Sequence, residues 1–239
     1  MPNEYILHYH DVILRREDVK LLDTNDWIND TIIEFYYEWL ERTVLGENSH
    51  ILLLRPGMVH LISHAKDTTD FVSALPPAIS RSTVLFIPIN DNNDGHRAGG
   101  SHWSLLVFYR PTRVFYHYDS MNDYNEHHAQ RTANRFCQLL GVRGGPLIRK
   151  YAYSTFDLVW DAKFKNMRTP QQNNGSDCGV FVISFTDVLV QRLLTSQPRD
   201  EMWELKPGDV LRASQQRRRL RSLIDELVST AGGVGRTIG

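Results

Sequence analysis

The chain has 239 residues, of which 41% are hydrophobic and 23% charged, with a formal net charge of −1. That is enough apolar material for one large core without disulfide or metal staples. With a net charge near zero, nothing overall argues for nucleic acid or an anionic membrane as a partner. No run of about 18 consecutive apolar residues occurs, and the start Met1-Pro2-Asn3-Glu4 does not resemble a secretory signal, so no membrane partner is expected. Cys137 and Cys178 are the two cysteines. Two exclude a cysteine-rich zinc site, and without a signal they are expected as reduced thiols in the cytoplasm or nucleus.

In chain order, residues near 5–14 alternate enough for a short strand or extended arm. Asn25 or Asp26 caps a predicted helix to about Leu45, with Ile32, Ile33, Phe35, Tyr36, Trp39 and Leu40 on its apolar side. Leu52 to Leu54 read as a short strand, and Pro56 to His64 and Asp70 to Leu75 as short helices. Ser82 to Ile89 is a β-rich run of the kind that forms a buried strand. A polar loop over Asn90 to Gly100 precedes two strands, His102 to Tyr109 and Val114 to Tyr118, joined by the turn Arg110-Pro111-Thr112-Arg113. Asn125 to Leu140 reads as a helix stopped by Gly141. Gly145 to Val159 suggests further strand, Cys178 to Leu194 a long buried helix, and Gln215 to Ser229 an amphipathic one. Helices precede and follow a central group of strands, so the expected class is α+β. The expectation is one domain over residues 1–230, with 231–239 as a frayed, glycine-rich tail.

The chemistry gathers at Gln172-Asn173-Asn174-Gly175-Ser176-Asp177-Cys178-Gly179, a polar turn that delivers one cysteine to the first turn of a strongly apolar helix. There the helix dipole and free amides favour a thiolate. Pairing Tyr109 with Val114 across the hairpin puts His102 opposite Met121, two residues from Asp119 on the same face. Such diagonal neighbours lie roughly 7–8 Å apart, within reach of a long side chain. Asp119 is therefore expected to accept the Nδ1 proton of His102 and hold the tautomer whose Nε2 faces the cysteine. Thioester formation creates an oxyanion, and losing one preorganised donor costs about 100- to 1000-fold in rate. The Gln172 amide and the Cys178 backbone N–H are candidates for two such donors.

Three blocks, Ser101-His102-Trp103-Ser104-Leu105-Leu106-Val107, Tyr118-Asp119-Ser120 and Gln172 through Gly179, resemble the signature of the ubiquitin-like-protein proteases, the superfamily of the adenovirus protease and the SUMO-deconjugating enzymes. The resemblance covers about residues 5 to 195. It implies a papain-like fold, a central mixed sheet flanked by helices with the nucleophile at the start of a buried helix. It also implies His102, Asp119, Gln172 and Cys178 as base, orienter, oxyanion donor and nucleophile, with no metal or cofactor. Leu21-Leu22-Asp23 through Trp27-Ile28-Asn29-Asp30, and Ile89-Asn90-Asp91-Asn92 through Trp103, are most similar to the deneddylase branch. By that resemblance Trp27 and Trp103 flank a narrow tunnel admitting only Gly-Gly, and Asn90, Asp91 and Asn92, with Asn29 and Asp30, contact the substrate. The implied partner is a ubiquitin-like modifier, the neddylation modifier in first place, bound by a monomer. SUMO or ubiquitin with the same chemistry is the first alternative, and a catalytically silent binder of a ubiquitin-like fold the second. Lys150 to Thr169 is longer than the family usually needs before the glutamine, and the tail beyond Val228 has no counterpart in it.

Plainer readings stand beside these. Trp27 and Trp103 also fit as core aromatics, and Asn90 to Gly100 as a solvated loop. Asp177 is expected to cap a helix and Cys137 to lie in the core. Arg217-Arg218-Arg219-Leu220-Arg221 reads as the wet face of a helix and not as a nucleic-acid patch. His8, His10, His127 and His128 lack metal-ligand spacing.

Overall fold

The computed structural model describes residues 4–46, 50–65, 73–95, 99–141, 162–196 and 199–239. The expected strand over Gly145 to Val159 and the start of the helix expected at Asp70 lie outside them, as does most of Lys150 to Thr169. A five-stranded mixed sheet forms the centre. Its strands are β3 (Ile51–Leu53), β4 (Val84–Asn90), β5 (Trp103–Tyr109), β6 (Val114–Tyr118) and β7 (Lys163–Met167), in the order β3-β4-β5-β6-β7. β4, β5 and β6 run antiparallel, while β3 and β7 add parallel at the two edges. The β5–β6 register pairs Tyr109 with Val114 and Leu105 with Tyr118, as the turn length required.

Alternation of side chains across the strands builds two cores. Val84, Phe86, Leu105, Val107, Tyr116 and Tyr118 face α2 (Asp30–Leu40) and α5 (Cys178–Thr195), where Ile33, Tyr37, Ile183 and Phe185 are buried. Leu85, Ile87, Leu106, Phe108 and Phe115 face α3 (Pro56–His64) and α4 (Glu126–Leu140), meeting Ile62, Ala133 and Phe136. The sheet is thus covered on both sides, which explains why β4 reads as a continuous apolar run. α5 has a mean hydropathy of 1.5, apolar and long enough to cross a membrane, but 61% of it is buried inside the protein. α4 ends at Gly141 in the left-handed conformation, φ 62°.

A second, three-stranded sheet has the order β2-β1-β8, from β1 (Tyr5–Tyr9), β2 (Val12–Arg15) and β8 (Arg236–Ile238). Residues 236–238 were expected to be frayed. Instead they pair in parallel with β1, and the Ile238 carbonyl accepts the His10 N–H at 2.6 Å. Two further differences concern helices. The segment expected as one helix from Asn25 starts only at Asp30, because Asn29 is the residue whose side chain accepts the Ile32 N–H, at 3.1 Å. Before it stands α1 (Arg16–Asp23), where Asp18 accepts the Arg15 N–H at 2.8 Å. The amphipathic C-terminal helix is α6 (Ala213–Thr230).

Candidate active site

His102 sits one residue before β5, Asp119 one residue after β6, and Cys178 at the first position of α5. The hairpin brings the first two together, and the packing of α5 on β5 adds the third. All three are buried, each 1% exposed. His102 Nε2 donates to Asp119 Oδ1 at 2.6 Å. This reverses the expected arrangement: the carboxylate holds Nε2, and the buried Nδ1 is the nitrogen left to Cys178. Asp119 lies just past the last paired residue, so it meets the ring's far nitrogen and not the one near the backbone.

Backbone groups fix Asp119 in turn. Its Oδ1 also accepts the Met121 N–H at 2.9 Å and its Oδ2 the Asn125 N–H at 2.8 Å. Burial alone would raise its pKa, but the bond from His102 and these two amides hold the carboxyl below the ordinary range. Burial alone would likewise lower the pKa of His102. The Asp119 bond and the Cys178 sulfur outweigh it and push His102 up to about 9. The Tyr124 and His102 rings meet at nearly right angles, with centroids 5.4 Å apart.

The turn before Cys178 is organised by Asn174, whose Oδ1 accepts the N–H groups of Ser176 and Asp177, both at 3.0 Å. The Gln172 amide is engaged at both ends. Oε1 accepts from Ser120 at 2.7 Å, and Nε2 donates to the Asn174 carbonyl at 2.6 Å, leaving its second N–H. Gly179 is dictated by space, since a Cβ there would lie 2.5 Å from Ile28 Cγ1. Asp177 holds the cap position but makes no side-chain cap bond. Its carboxylate instead pairs with Arg217 Nη2 at 2.7 Å. Arg217, read as part of a wet helix face, is 4% exposed.

Cys178 and His102 open into a cleft of about 540 Å³ walled by Trp27 and Trp103 and bordered by Asn29, Asp30, Asn90, Asn92 and Gly100. Trp27 is half-exposed, and its indole N–H donates to the Gly175 carbonyl at 2.5 Å. Asn29 lines the cleft with its polar atoms already committed, one to the α2 cap and Nδ2 to Asp18 at 2.6 Å. Asp91 stands apart from the cleft lining. Its carboxylate accepts the Ser101 N–H at 2.5 Å, the Ser101 hydroxyl at 2.6 Å and the His102 N–H at 3.0 Å, closing the neck of the 90–102 loop. Its pKa sits low because these donors outweigh burial. Gly100 has φ +93°, and a Cβ there would meet Asn90 Oδ1 at 1.9 Å. Residues 96–98 of that loop lie outside the described residues. Among the described residues no cluster of three metal-ligating side chains occurs, Cys137 and Cys178 are free, and burial pushes the Cys137 thiol up to about 12.

Sequence reasoning missed Arg217, Asp91 and Asn174 as organisers of the site. The one signal for Arg217 was its place in the amphipathic period of α6, beside the apolar Leu220 and Ile224.

Residues 26–209 match the family described as Ulp1 protease family, C-terminal catalytic domain. The chain is 33% identical over 204 residues to Sentrin-specific protease 8 of Rattus norvegicus, covering 84% of this chain and 87% of that one. It is 34% identical over 206 residues to NEDD8-specific protease 1 of Arabidopsis thaliana, with coverages of 84% and 83%. NEDD8-specific protease 2 of Schizosaccharomyces pombe is 37% identical over 193 residues, 79% of this chain and 42% of that protein. Two solved structures share the fold. The Xanthomonas campestris effector XopD bound to ubiquitin has a TM-score of 0.61 at 24% identity, covering 83% of this chain and 92% of that one. The Ulp1 protease domain in complex with Smt3, the yeast ortholog of SUMO, has a TM-score of 0.61 at 21% identity, with coverages of 95% and 89%. The papain-like α+β architecture and the extent of these matches lead to one conclusion: the chain belongs to the Ulp1 protease family and is a cysteine protease.

Proposed function

We propose that this protease cleaves after the C-terminal Gly-Gly of a ubiquitin-like modifier, NEDD8 in preference to SUMO or ubiquitin, both from lysine conjugates and from precursors. One observation carries the reading: a buried Asp119–His102 pair stands at Cys178, at the base of a cleft walled by Trp27 and Trp103. In this reading the two indoles leave room only for glycines at the last two substrate positions, as the family resemblance implies. The relatives named NEDD8-specific proteases support the choice of modifier. Asn90, Asn92 and Gly100 at the cleft border supply the surface that reads its tail.

In this reading the Cys178 thiolate attacks the carbonyl carbon of the last glycine. The oxyanion is met by the Cys178 backbone N–H and the free N–H of Gln172. His102, oriented by Asp119 through Nε2, donates its Nδ1 proton to the leaving lysine amine as the C–N bond breaks, giving a thioester. Nδ1 then takes a proton from water, the hydroxide displaces the sulfur, and the free glycine carboxylate leaves. The chemistry requires neither metal nor cofactor, and the two free thiols fit a reducing compartment, the cytoplasm or nucleus.

Hydrolysis of NEDD8, SUMO and ubiquitin bearing a C-terminal fluorophore tests this. NEDD8 is expected to lead in kcat/KM by about 100-fold. Cys178→Ser is expected to abolish turnover while retaining modifier binding, because recognition spans a surface far wider than the thiol. Faster turnover of SUMO would overturn the choice of modifier, and full activity of Cys178→Ser would overturn the nucleophile.

A further inference from the structure

Arg217 lies in α6, beyond the 26–209 region that matches the family, yet it reaches the heart of the site. Its Nε and Nη2 donate to Asp177 Oδ1 at 3.0 and 2.7 Å, immediately before Cys178. Its Nη1 donates to the Leu21 carbonyl at 2.7 Å, and Nη2 also to the Asp26 carbonyl at 2.7 Å, immediately before Trp27. One buried guanidinium therefore spans the two lips of the cleft, the 174–178 turn and the 21–27 segment. These lips touch directly through the Trp27 indole bonded to the Gly175 carbonyl. Arginine suits the position because its planar fork serves a carboxylate and two carbonyls at once, whereas a lysine ammonium acts as a single compact charge. Asp177 has its other oxygen committed to Asn174 Nδ2 at 2.8 Å, so the pair is satisfied on both sides.

We propose that Arg217 is a positioning residue for the protease reaction: it clamps the Trp27 segment to the nucleophile's turn and so sets the width of the cleft that receives the substrate tail. The assignment rests on Cys178 and Trp27 having the roles given above. It makes α6 part of the active site, and it predicts that damage at Arg217 is felt first in substrate binding. The carbonyl anchors hold the Trp27 lip, while the Asp177 contact, which a lysine keeps, holds the turn of Cys178.

The test is steady-state kinetics of Arg217→Lys on a NEDD8 fluorophore substrate, with active sites counted by a glycine-ended electrophilic probe. KM is expected to rise about tenfold while kcat per active site stays within about threefold. Arg217→Met leaves the Asp177 charge buried and uncompensated, and is expected to lose both folding stability and activity. If that variant does not fold, Arg217→Lys still decides. Wild-type KM in Arg217→Lys overturns the proposal. So does a lower melting temperature with fewer active sites and unchanged KM, the pattern of a purely structural residue. A wild-type protein that no probe labels at Cys178 removes the underlying reading along with it.

Discussion

Asp119 and His102 set the acid–base behaviour of the site. Because the folded pKa of His102 is pushed up to about 9 from 6.5, the imidazolium persists through neutral pH. The resulting stability is complete below about 6.5 and is lost as pH rises through about 9. In the proposed mechanism the protonated ring supplies the leaving amine, so the basic limb of kcat/KM is expected near pH 9. Asp119→Asn removes the stronger of the two supports, so the limb should move to lower pH and the rate should fall. A pH–rate profile with an unmoved basic limb would show that the contact does not control His102. The convergence of Cys178, His102 and Asp119 was legible because each stands at the boundary of an element with a readable period. Arg217 was not, because its partners lie 40, 191 and 196 residues away, and a helical period cannot say what a buried guanidinium meets. The imidazole tautomer was illegible for a similar reason, since it depends on where a side chain falls just past the last strand pair.

At the scale of elements, Asp91 ties the end of β4 to the start of β5 through Ser101 and His102, and Gly100 makes that close approach possible. Gly100→Ala combines a left-handed φ of +93° with a Cβ 1.9 Å from Asn90 Oδ1, so the neck must open. It is expected to lower stability by about 1–3 kcal/mol in urea unfolding and to reduce kcat/KM, because His102 hangs from the same clasp. Unchanged stability and turnover would mean the loop adapts freely. β5, β6, α3 and α4 could be read from the chain because turn residues, proline and glycine punctuate them. α1 was missed because its eight residues bury only Asp18, Val19 and Leu22. β7 is an edge strand with Lys163, Lys165 and Asn166 exposed, a polar pattern that protects an edge and hides the strand from a hydrophobicity reading.

At the scale of the whole molecule, a sheet buried on both faces fixes the hairpin that carries His102 and Asp119, and α5 brings Cys178 to it from one layer. The small β2-β1-β8 sheet contributes no residue to the lining of the cleft. Removing residues 234–239 deletes β8 and leaves β1 paired with β2 alone, which should lower Tm by about 2–4 °C while leaving kcat/KM within about twofold. Thermal unfolding and kinetics of the shortened chain check this, and a large loss of activity would tie the tail to the site. The α+β class was legible from element order, whereas the docking of α6 and of the C-terminal strand was not. Both depend on partners near the opposite end of the chain. The most direct measurement is mass spectrometry of the intact protein after exposure to NEDD8, SUMO and ubiquitin, each ending in a glycine-derived electrophile. A single adduct on Cys178, formed fastest with NEDD8 and absent in Cys178→Ala, is expected; no adduct at Cys178 with any of the three would contradict the assignment.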